Sequence, residues 1–246
     1  MKLILGKWQF KAGLIPSLLA LFFFSLFISL GVWQLHRAEY KRTLYADFLK
    51  RNAAPAVNIE EIYRDINEKE KILWRQVKAT GTFNEDTQIL LDNQVERDEA
   101  GYYVYTAFKP EGIADWILVN RGWIATGADR SLIPELIKTN SLVNINGVIK
   151  DLPRTGLLLK ESLPETLAKD VIRVQKLDLT EIEKLLNIKL MPVILRLEPE
   201  SSYGYVREWH IPGSGEEMHL GYAFQWFAFA TTLLIIYLVV NVKRLH

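Results

Sequence analysis

Histidines 36, 210, 219 and 246 offer the most versatile chemistry in this chain. No two of them are three or four residues apart, and no acidic cluster accompanies them, so the sequence does not predict a zinc site. The chain contains no cysteine, which excludes disulfides, thiolate ligands and a cysteine nucleophile. We find no phosphate-binding loop, dinucleotide fingerprint or nucleophile elbow, and we therefore do not predict an enzyme.

His219 differs from the other histidines because it lies near the start of a long apolar run. On a helix, Ala223, Trp226 and Ala230 fall on the same stripe, and the two alanines leave room for a second helix or for a flat ligand. A neutral imidazole can bind haem iron as an axial ligand. Interfacial histidines and aromatic residues also anchor helices at lipid headgroups, so both interpretations stay open.

Two long apolar runs, at 12–35 and 218–242, contain no Asp, Glu, Lys or Arg. Helices rise about 1.5 Å per residue, so each run exceeds a hydrocarbon core of about 30 Å. We therefore predict two transmembrane helices. The first run is too long for the apolar core of a signal peptide, and we expect it to be retained as an anchor.

If the two runs are antiparallel neighbours, the end of the first comes level with the start of the second. Polar side chains inside a transmembrane helix are costly and therefore count as functional candidates. The candidate cofactor-binding residues at this level are Trp33, Gln34, His219, Tyr222 and Trp226, with His219 as the candidate metal ligand.

The charges that flank the runs predict their orientation. Lysines 2, 7 and 11 precede the first run, and Lys243 and Arg244 follow the second. By the positive-inside rule, we expect both ends in the cytoplasm and the middle domain in the periplasm of a bacterial inner membrane. One feature argues the other way, since basic residues 37, 41, 42, 50 and 51 closely follow the first run.

These observations divide the chain into five predicted segments. They are a cytoplasmic tail at 1–11, a transmembrane helix at 12–35, a periplasmic β-rich domain at 36–214 with an amphipathic helical start, a transmembrane helix at 215–242 and a cytoplasmic tail at 243–246. The first helix is expected to continue beyond the membrane to a break at 52–55.

Strand patterns dominate the middle segment. From residue 76 to 83, apolar and polar residues alternate, as in a strand with one solvent-exposed face. Further strands are predicted at 87–92, 102–108, 116–123, 143–150, 171–177 and 193–197. Short strands with few helices are typical of a mostly antiparallel, barrel-like α+β domain.

Three pairs with the spacing of a capping box predict helix starts. They are Asn58 with Glu61, Thr180 with Glu183, and Ser214 with Glu217. The first predicted helix presents Ile59, Ile62, Tyr63 and Ile66 on one face, and the second presents Ile182, Leu185 and Leu186.

Arg121 stands between Asn120 and Gly122 near the end of an apolar strand. We interpret Gly122 as a turn residue and expect the arginine stem to pack over a neighbouring strand. The alternative is a contact from Arg121 to an anionic group or to a partner protein.

Four segments, in this order, resemble the surfeit-locus family of cytochrome c oxidase assembly factors. They are LGVWQLHR at 30–37, WRQV at 74–77 with GTF at 81–83, VNRGWI at 119–124, and HLGYA at 219–223 with WF at 226–227. Each motif alone is weak, but the four occur in the expected order and the similarity covers nearly the whole chain.

The resemblance implies a bacterial inner-membrane protein that helps to assemble cytochrome c oxidase. It also implies binding of haem a and its delivery to oxidase subunit I, with His219 as the iron ligand. The implied partners are subunit I, the machinery of haem a synthesis and the lipid bilayer. The family often has asparagine before this histidine, where this chain has Met218.

Two alternatives to a haem a chaperone stay open. One is a cofactor-free scaffold that stabilises an oxidase assembly intermediate. The other is a periplasmic enzyme, which would need a cleft that gathers carboxylates with perturbed pKa values. Nucleic acid is not an expected partner, since the formal net charge is only +1.

Overall fold

The computed structural model describes residues 2–5, 7–127, 132–139, 141–153 and 163–244. The chain forms two compact units. Met1–Phe48 and His210–His246 form the first, which we call the helix unit, and Leu49–Trp209 forms the second, which we call the sheet unit.

The helices are α1 (Leu14–Asn52), α2 (Ile59–Arg64), α3 (Lys69–Ile72), α4 (Leu179–Leu186) and α5 (Glu216–Asn241). The strands are β1 (Lys2–Leu5), β2 (Trp8–Lys11), β3 (Val57–Asn58), β4 (Gln76–Glu96), β5 (Glu99–Pro110), β6 (Trp116–Ala125), β7 (Val143–Lys150), β8 (Glu165–Ala168), β9 (Val171–Val174), β10 (Leu190–Leu197) and β11 (Val242–Arg244).

Within the described ranges, α1 and α5 are the two helices that are long and apolar enough to cross a membrane. In the most apolar 18-residue stretch of each helix, only 6% is buried in α1 and 11% in α5. Such a large exposed apolar surface is unfavourable in water, at about 25 cal/mol per Å². Both helices therefore fit a membrane protein, and their positions near the two ends of the chain confirm that part of the predicted fold.

The starts and ends of these two helices follow the sequence closely. Helix α1 continues to Asn52, which confirms the predicted extension. Helix α5 begins at Glu216, as expected, but the predicted cap by Ser214 is wrong. Gly215 is the N-cap instead, in the left-handed conformation with φ of 90° and without a side-chain cap, because glycine adopts a positive φ at little cost.

The two chain ends form a small sheet that the sequence analysis missed. Strands β1, β2 and β11 pair antiparallel in that order, and Phe10 of β2 is opposite Val242 of β11. The ring of Phe10 also lies 6.0 Å from that of Tyr237 in α5. The segments interpreted as two separate tails are therefore hydrogen-bonded to each other.

Within the described residues, the sheet unit has eight strands in mixed orientation. The path of pairing is β5-β6-β10-β7-β4-β9-β8, with β3 beside β4 and a further pairing between β4 and β5. Pairing therefore runs from strand to strand through β4, β5, β6, β10 and β7, and β7 pairs with β4 again. A mostly sheet domain is confirmed, while the barrel-like closure stays a prediction.

Strand β4 organises this unit because it combines two predicted strands into one of 21 residues. It pairs with β5 along one edge, and along the other with β7 in its first half and with β9 in its second half. The register shifts between Phe83 and Gln88. The first half of β4 therefore contributes Val77 and Ala79 to one apolar core, and the second half contributes Ile89 and Leu91 to another.

The two cores cover opposite faces of β10. Val193 and Leu195 belong to the first core, while Leu190 and Ile194 belong to the second. Successive strand residues point to opposite faces, which explains the division. Helix α2 closes the first core with Ile59 and Ile62, and α4 closes the second with Ile182. Leu185, on the same predicted face as Ile182, is exposed.

The other two predicted capping boxes are also corrected. Asn58 is the N-cap of α2 but makes no side-chain cap. Helix α4 is capped by Asp178, not Thr180, because the Asp178 carboxylate accepts from the backbone N–H groups of Thr180 and Glu181. Glu183 accepts a hydrogen bond from the backbone N–H of Leu190 instead, at 2.8 Å.

This correction gives a test. We expect Asp178→Ala to lower the free energy of unfolding by about 1 kcal/mol, because two N–H groups of α4 lose their acceptor. Thr180→Ala is the matched control and should have a smaller effect. Chemical denaturation of the purified chain, followed by circular dichroism, measures both; a larger loss at Thr180 would contradict the assignment.

Candidate functional site

His219 and Gln34 join the two long helices of the helix unit. The distance between His219 Nδ1 and Gln34 Oε1 is 2.8 Å. Gln34 is 8% exposed, and His219 is half-buried. An amide oxygen only accepts, so His219 Nδ1 is the donor in this contact, and in the neutral ring this tautomer leaves the lone pair on Nε2.

Small residues allow the helices to approach each other at this level. Gly31, Ala38, Ala223 and Ala230 are all buried. A Cβ atom on Gly31 would lie 2.7 Å from the ring of Phe227, which is closer than van der Waals contact. The space beside Gly31 is thus occupied by Phe227, and the buried alanines serve close packing of the helix unit.

The remaining predicted site residues fall into two groups. Trp226 belongs to an aromatic cluster in which its ring centroid is 5.8 Å from that of Phe27, nearly parallel, and 5.8 Å from that of Phe229. Trp33 and Tyr222 are instead exposed, at 57% and 46%. Among the five candidates, the described polar contacts join only Gln34 and His219.

A separate groove lies on the same two helices, toward their other ends. It has a volume of about 260 Å³ and is lined by Ser17, Ala20, Leu21, Phe24, Leu233, Leu234 and Tyr237. The hydroxyl groups of Ser17 and Tyr237 are hydrogen-bonded at 2.6 Å. None of the predicted site residues lines this groove, so it does not belong to the His219 site.

Comparisons with known proteins agree with the motifs around these residues. The model of the SURF1 family matches residues 21–231, which include both members of the His219–Gln34 pair. The chain belongs to the SURF1 family. This is a family of cytochrome oxidase assembly factors, which supports a general role for the chain in oxidase assembly.

Bacterial SURF1-like proteins are similar over nearly their whole length. The SURF1-like protein of Rickettsia felis is 29% identical over 240 residues, which cover 91% of this chain and 95% of the relative. That of Rickettsia conorii is 30% identical over 229 residues, covering 88% and 87%. That of Rickettsia prowazekii is 29% identical over 225 residues, covering 88% and 85%.

The SURF1-family segment around Arg121 differs from the interpretation made from sequence. Arg121 and Gly122 lie inside β6, not at a turn. Gly122 has a φ of 114°, and a Cβ atom there would lie 2.7 Å from the backbone oxygen of Val206. The glycine is therefore required for a close approach between two chain segments, and the predicted turn is wrong.

Arg121 is fully buried and makes several contacts within the sheet unit. Its Nε donates to the backbone oxygen of Tyr203 at 2.7 Å, and its Nη1 lies 3.7 Å from Glu85 Oε1. Its guanidinium lies over the rings of Phe83 and Tyr205, at 4.7 and 5.7 Å from their centroids. The anionic group that the sequence analysis considered for Arg121 is thus a carboxylate of the same chain.

Burial opposes the charge on both members of this pair. It raises the pKa of the Glu85 carboxyl, although Arg121 and the backbone N–H of Thr139 partly offset the rise. It also lowers the pKa of the Arg121 guanidinium. No local sequence pattern marks Glu85, and only the folded sheet brings it to Arg121.

The helix contact provides one prediction. We expect Gly31→Val to destabilise the helix unit by about 1–3 kcal/mol, because the added side chain would overlap the Phe227 ring. Gly221→Val is the matched control, since a Cβ atom at this helical glycine meets nothing within 4 Å. Thermal denaturation in detergent measures both variants, and equal losses would show that the close packing at Gly31 is not the cause.

The buried ion pair provides a second prediction. We expect Arg121→Met alone to cost about 3–5 kcal/mol, because Glu85 would be buried without its cation. The double variant Arg121→Met with Glu85→Gln should cost less than the sum of the single variants. Chemical denaturation gives the coupling energy, and the exposed Arg97–Glu208 pair serves as the control with a coupling of less than about 1 kcal/mol. Additive losses at Arg121 and Glu85 would refute the pairing.

Proposed function

We propose that this SURF1-family chain is a bacterial inner-membrane protein that binds haem a through His219 and assists its insertion into subunit I of cytochrome c oxidase. The hydrogen bond between His219 and Gln34 carries this proposal. A histidine that ligates a metal usually donates its other ring N–H to an oxygen acceptor, which fixes its tautomer and orientation. Gln34 Oε1 is such an acceptor, at 2.8 Å from Nδ1.

The residues around His219 fit a haem in this protein. His219 would hold the haem through Nε2, and the haem would supply an iron that accepts a nitrogen ligand. Tyr222 is three residues after His219, so the two side chains share one side of α5. Because Phe227 fills the space beside Gly31, we infer that the macrocycle contacts the exposed side of the helices, where Trp33 and Tyr222 are available.

We further propose that both chain ends are cytoplasmic and that the sheet unit is periplasmic. Strands β1, β2 and β11 hold the two ends together at one end of the helix unit. The segments that form this sheet are rich in lysine and arginine and contain no acid, which favours the cytoplasmic side. In this orientation, His219 lies near the periplasmic boundary of the membrane.

The experiment that tests haem binding is an absorption spectrum. The chain should be purified in detergent from cells that make haem a, beside His219→Ala, Gln34→Leu and His36→Ala. We expect His219→Ala to abolish the Soret band and Gln34→Leu to reduce haem occupancy by about 10–100-fold, as removal of such a partner commonly does. His36→Ala is the matched control, because His36 is an exposed histidine of α1.

Two results would contradict the haem proposal. One is a full Soret band in His219→Ala, and the other is equal loss of the band in His219→Ala and His36→Ala. Thermal denaturation of each variant in the haem-free form separates a lost ligand from a lost fold.

A cofactor-free scaffold is the second candidate, and the exposure of Trp33 and Tyr222 favours it. Exposed aromatic residues are typical of protein contact surfaces as well as of ligand contacts. A scaffold would copurify with oxidase subunit I from a strain that cannot make haem a. Loss of subunit I in that strain, with binding restored by haem a, would favour the haem proposal instead.

A further inference from the structure

Two half-buried cations, Lys150 and Arg196, lie on one face of the sheet unit. Strands β10 and β7 pair antiparallel. In this pairing, Ile194 of β10 is opposite Lys150 of β7, and Arg196 of β10 is opposite Val148 of β7. Paired residues share a face, and residues two apart on a strand share it too. Lys150 and Arg196 are therefore diagonal neighbours, which in a sheet are about 7–8 Å apart.

Each cation lies over the ring of a tryptophan. Lys150 Nζ is 3.4 Å from the ring centroid of Trp74, and the Arg196 guanidinium carbon is 4.9 Å from that of Trp209. The Trp209 indole is fixed by its own N–H, which donates to the backbone oxygen of Leu197 at 2.9 Å. The two indoles thus form apolar walls beside the two positive charges.

No carboxylate in the described part of the chain forms an ion pair with Lys150 or Arg196. The nearby Tyr103 hydroxyl donates to Glu96, so that carboxylate already has a partner. Arg196 Nε is buried and has no hydrogen-bond partner in the described structure. A buried charge without a counterion is costly, and a cation–π contact offsets only part of the lost hydration.

The electrostatics of the two cations reflect this missing counterion. Burial and, to a smaller extent, the neighbouring charge of Arg196 together lower the pKa of Lys150 to about 8. Burial likewise lowers the pKa of Arg196 to about 10. A bound anion would relieve both effects.

Trp74 has an unusual backbone, which is an independent sign of a functional site. Its φ is 71°, in the left-handed region that a bulky residue rarely adopts. Its N–H donates to the backbone oxygen of Ile149 at 2.8 Å, next to Lys150. Such conformations persist where surrounding structure enforces them, and they are concentrated at ligand sites.

We propose that Lys150 and Arg196, between the indoles of Trp74 and Trp209, bind the carboxylate group of a ligand with an apolar body. The arginine fork and the lysine ammonium provide charge-assisted donors for the carboxylate. The indole faces provide contact area for the apolar part, which inorganic phosphate lacks. The site lies wholly within the sheet unit and is independent of the haem proposal.

Benzoate is a suitable probe because it combines a carboxylate with a flat apolar ring. The full-length chain in detergent should be titrated with benzoate at constant ionic strength while tryptophan fluorescence is recorded. We expect a saturable change that benzamide, the neutral isostere, does not produce. Inorganic phosphate should bind more weakly than benzoate; tighter binding of phosphate would overturn the assignment of a carboxylate with an apolar body.

Substitutions of Lys150 and Arg196 test whether these two residues bind benzoate. We expect Lys150→Met and Arg196→Met each to weaken benzoate binding by about tenfold or more, because each removes one charge-assisted contact. Lys150→Arg should keep binding within a few-fold. Lys184→Met is the matched control, since Lys184 is an exposed lysine of α4, and it should bind as the wild type does. Wild-type affinity in both methionine variants would overturn the proposal.

Stability as a function of pH provides a second readout that does not depend on a ligand signal. The pKa of Lys150 is about 8 in the folded chain and 10.5 for an ordinary lysine. Between these values the unfolded chain binds more protons, so the contribution of Lys150 to stability rises with pH. The facing groups also titrate near the top of this range: the lowered pKa of Arg196, about 10, adds a rise of the same sign, while burial raises the pKa of Tyr103 and of Tyr105, which adds a fall. Comparison with Lys150→Met separates the contribution of Lys150 from these effects.

We therefore expect the free energy of unfolding of the wild type to rise, relative to Lys150→Met, between pH 8 and pH 10.5. Saturating benzoate should reduce this rise, because the bound carboxylate keeps Lys150 protonated. Chemical denaturation at several pH values measures both effects. A rise that benzoate leaves unchanged would contradict binding at Lys150.

Discussion

A polar group that is removed from water must find a partner, and this constraint explains the three most distinctive polar clusters of the chain. In the helix unit, the imidazole of His219 and the amide of Gln34 satisfy each other across two apolar helices. In the sheet unit, Arg121 is surrounded by a backbone carbonyl, aromatic rings and the Glu85 carboxylate. At Lys150 and Arg196 the described residues supply tryptophan rings but no carboxylate, which is why we propose a ligand there.

Strand β4 shapes the sheet unit, in which the clusters around Arg121 and around Lys150 occur. Because it exchanges β7 for β9 along one edge, its two halves contribute to different cores. Arg196 lies two residues after Ile194, which belongs to the second core. A cation beside a core loses water, and here each cation gains a tryptophan ring rather than a carboxylate. The cation pair is thus a consequence of how the sheet divides its apolar residues.

Membership of the SURF1 family gives the chain a general role in oxidase assembly, and the two proposed sites refine that role in different ways. The His219 site is a candidate for haem a, whose iron needs a nitrogen ligand. The carboxylate site is a candidate contact for another molecule with an apolar body. Each site lies within one compact unit, so loss of either function by mutation does not require loss of the other.

The sequence by itself determined the two apolar helices, the strand-rich middle and the motifs of the family, because these depend on local periodicity and length. It also identified Gln34 and His219 as candidates. Tertiary structure alone decided which acid meets Arg121, that the two chain ends pair, and that Asp178 rather than Thr180 caps α4. Those outcomes depend on strand register and on backbone geometry, so residues far apart in the chain become neighbours only after folding.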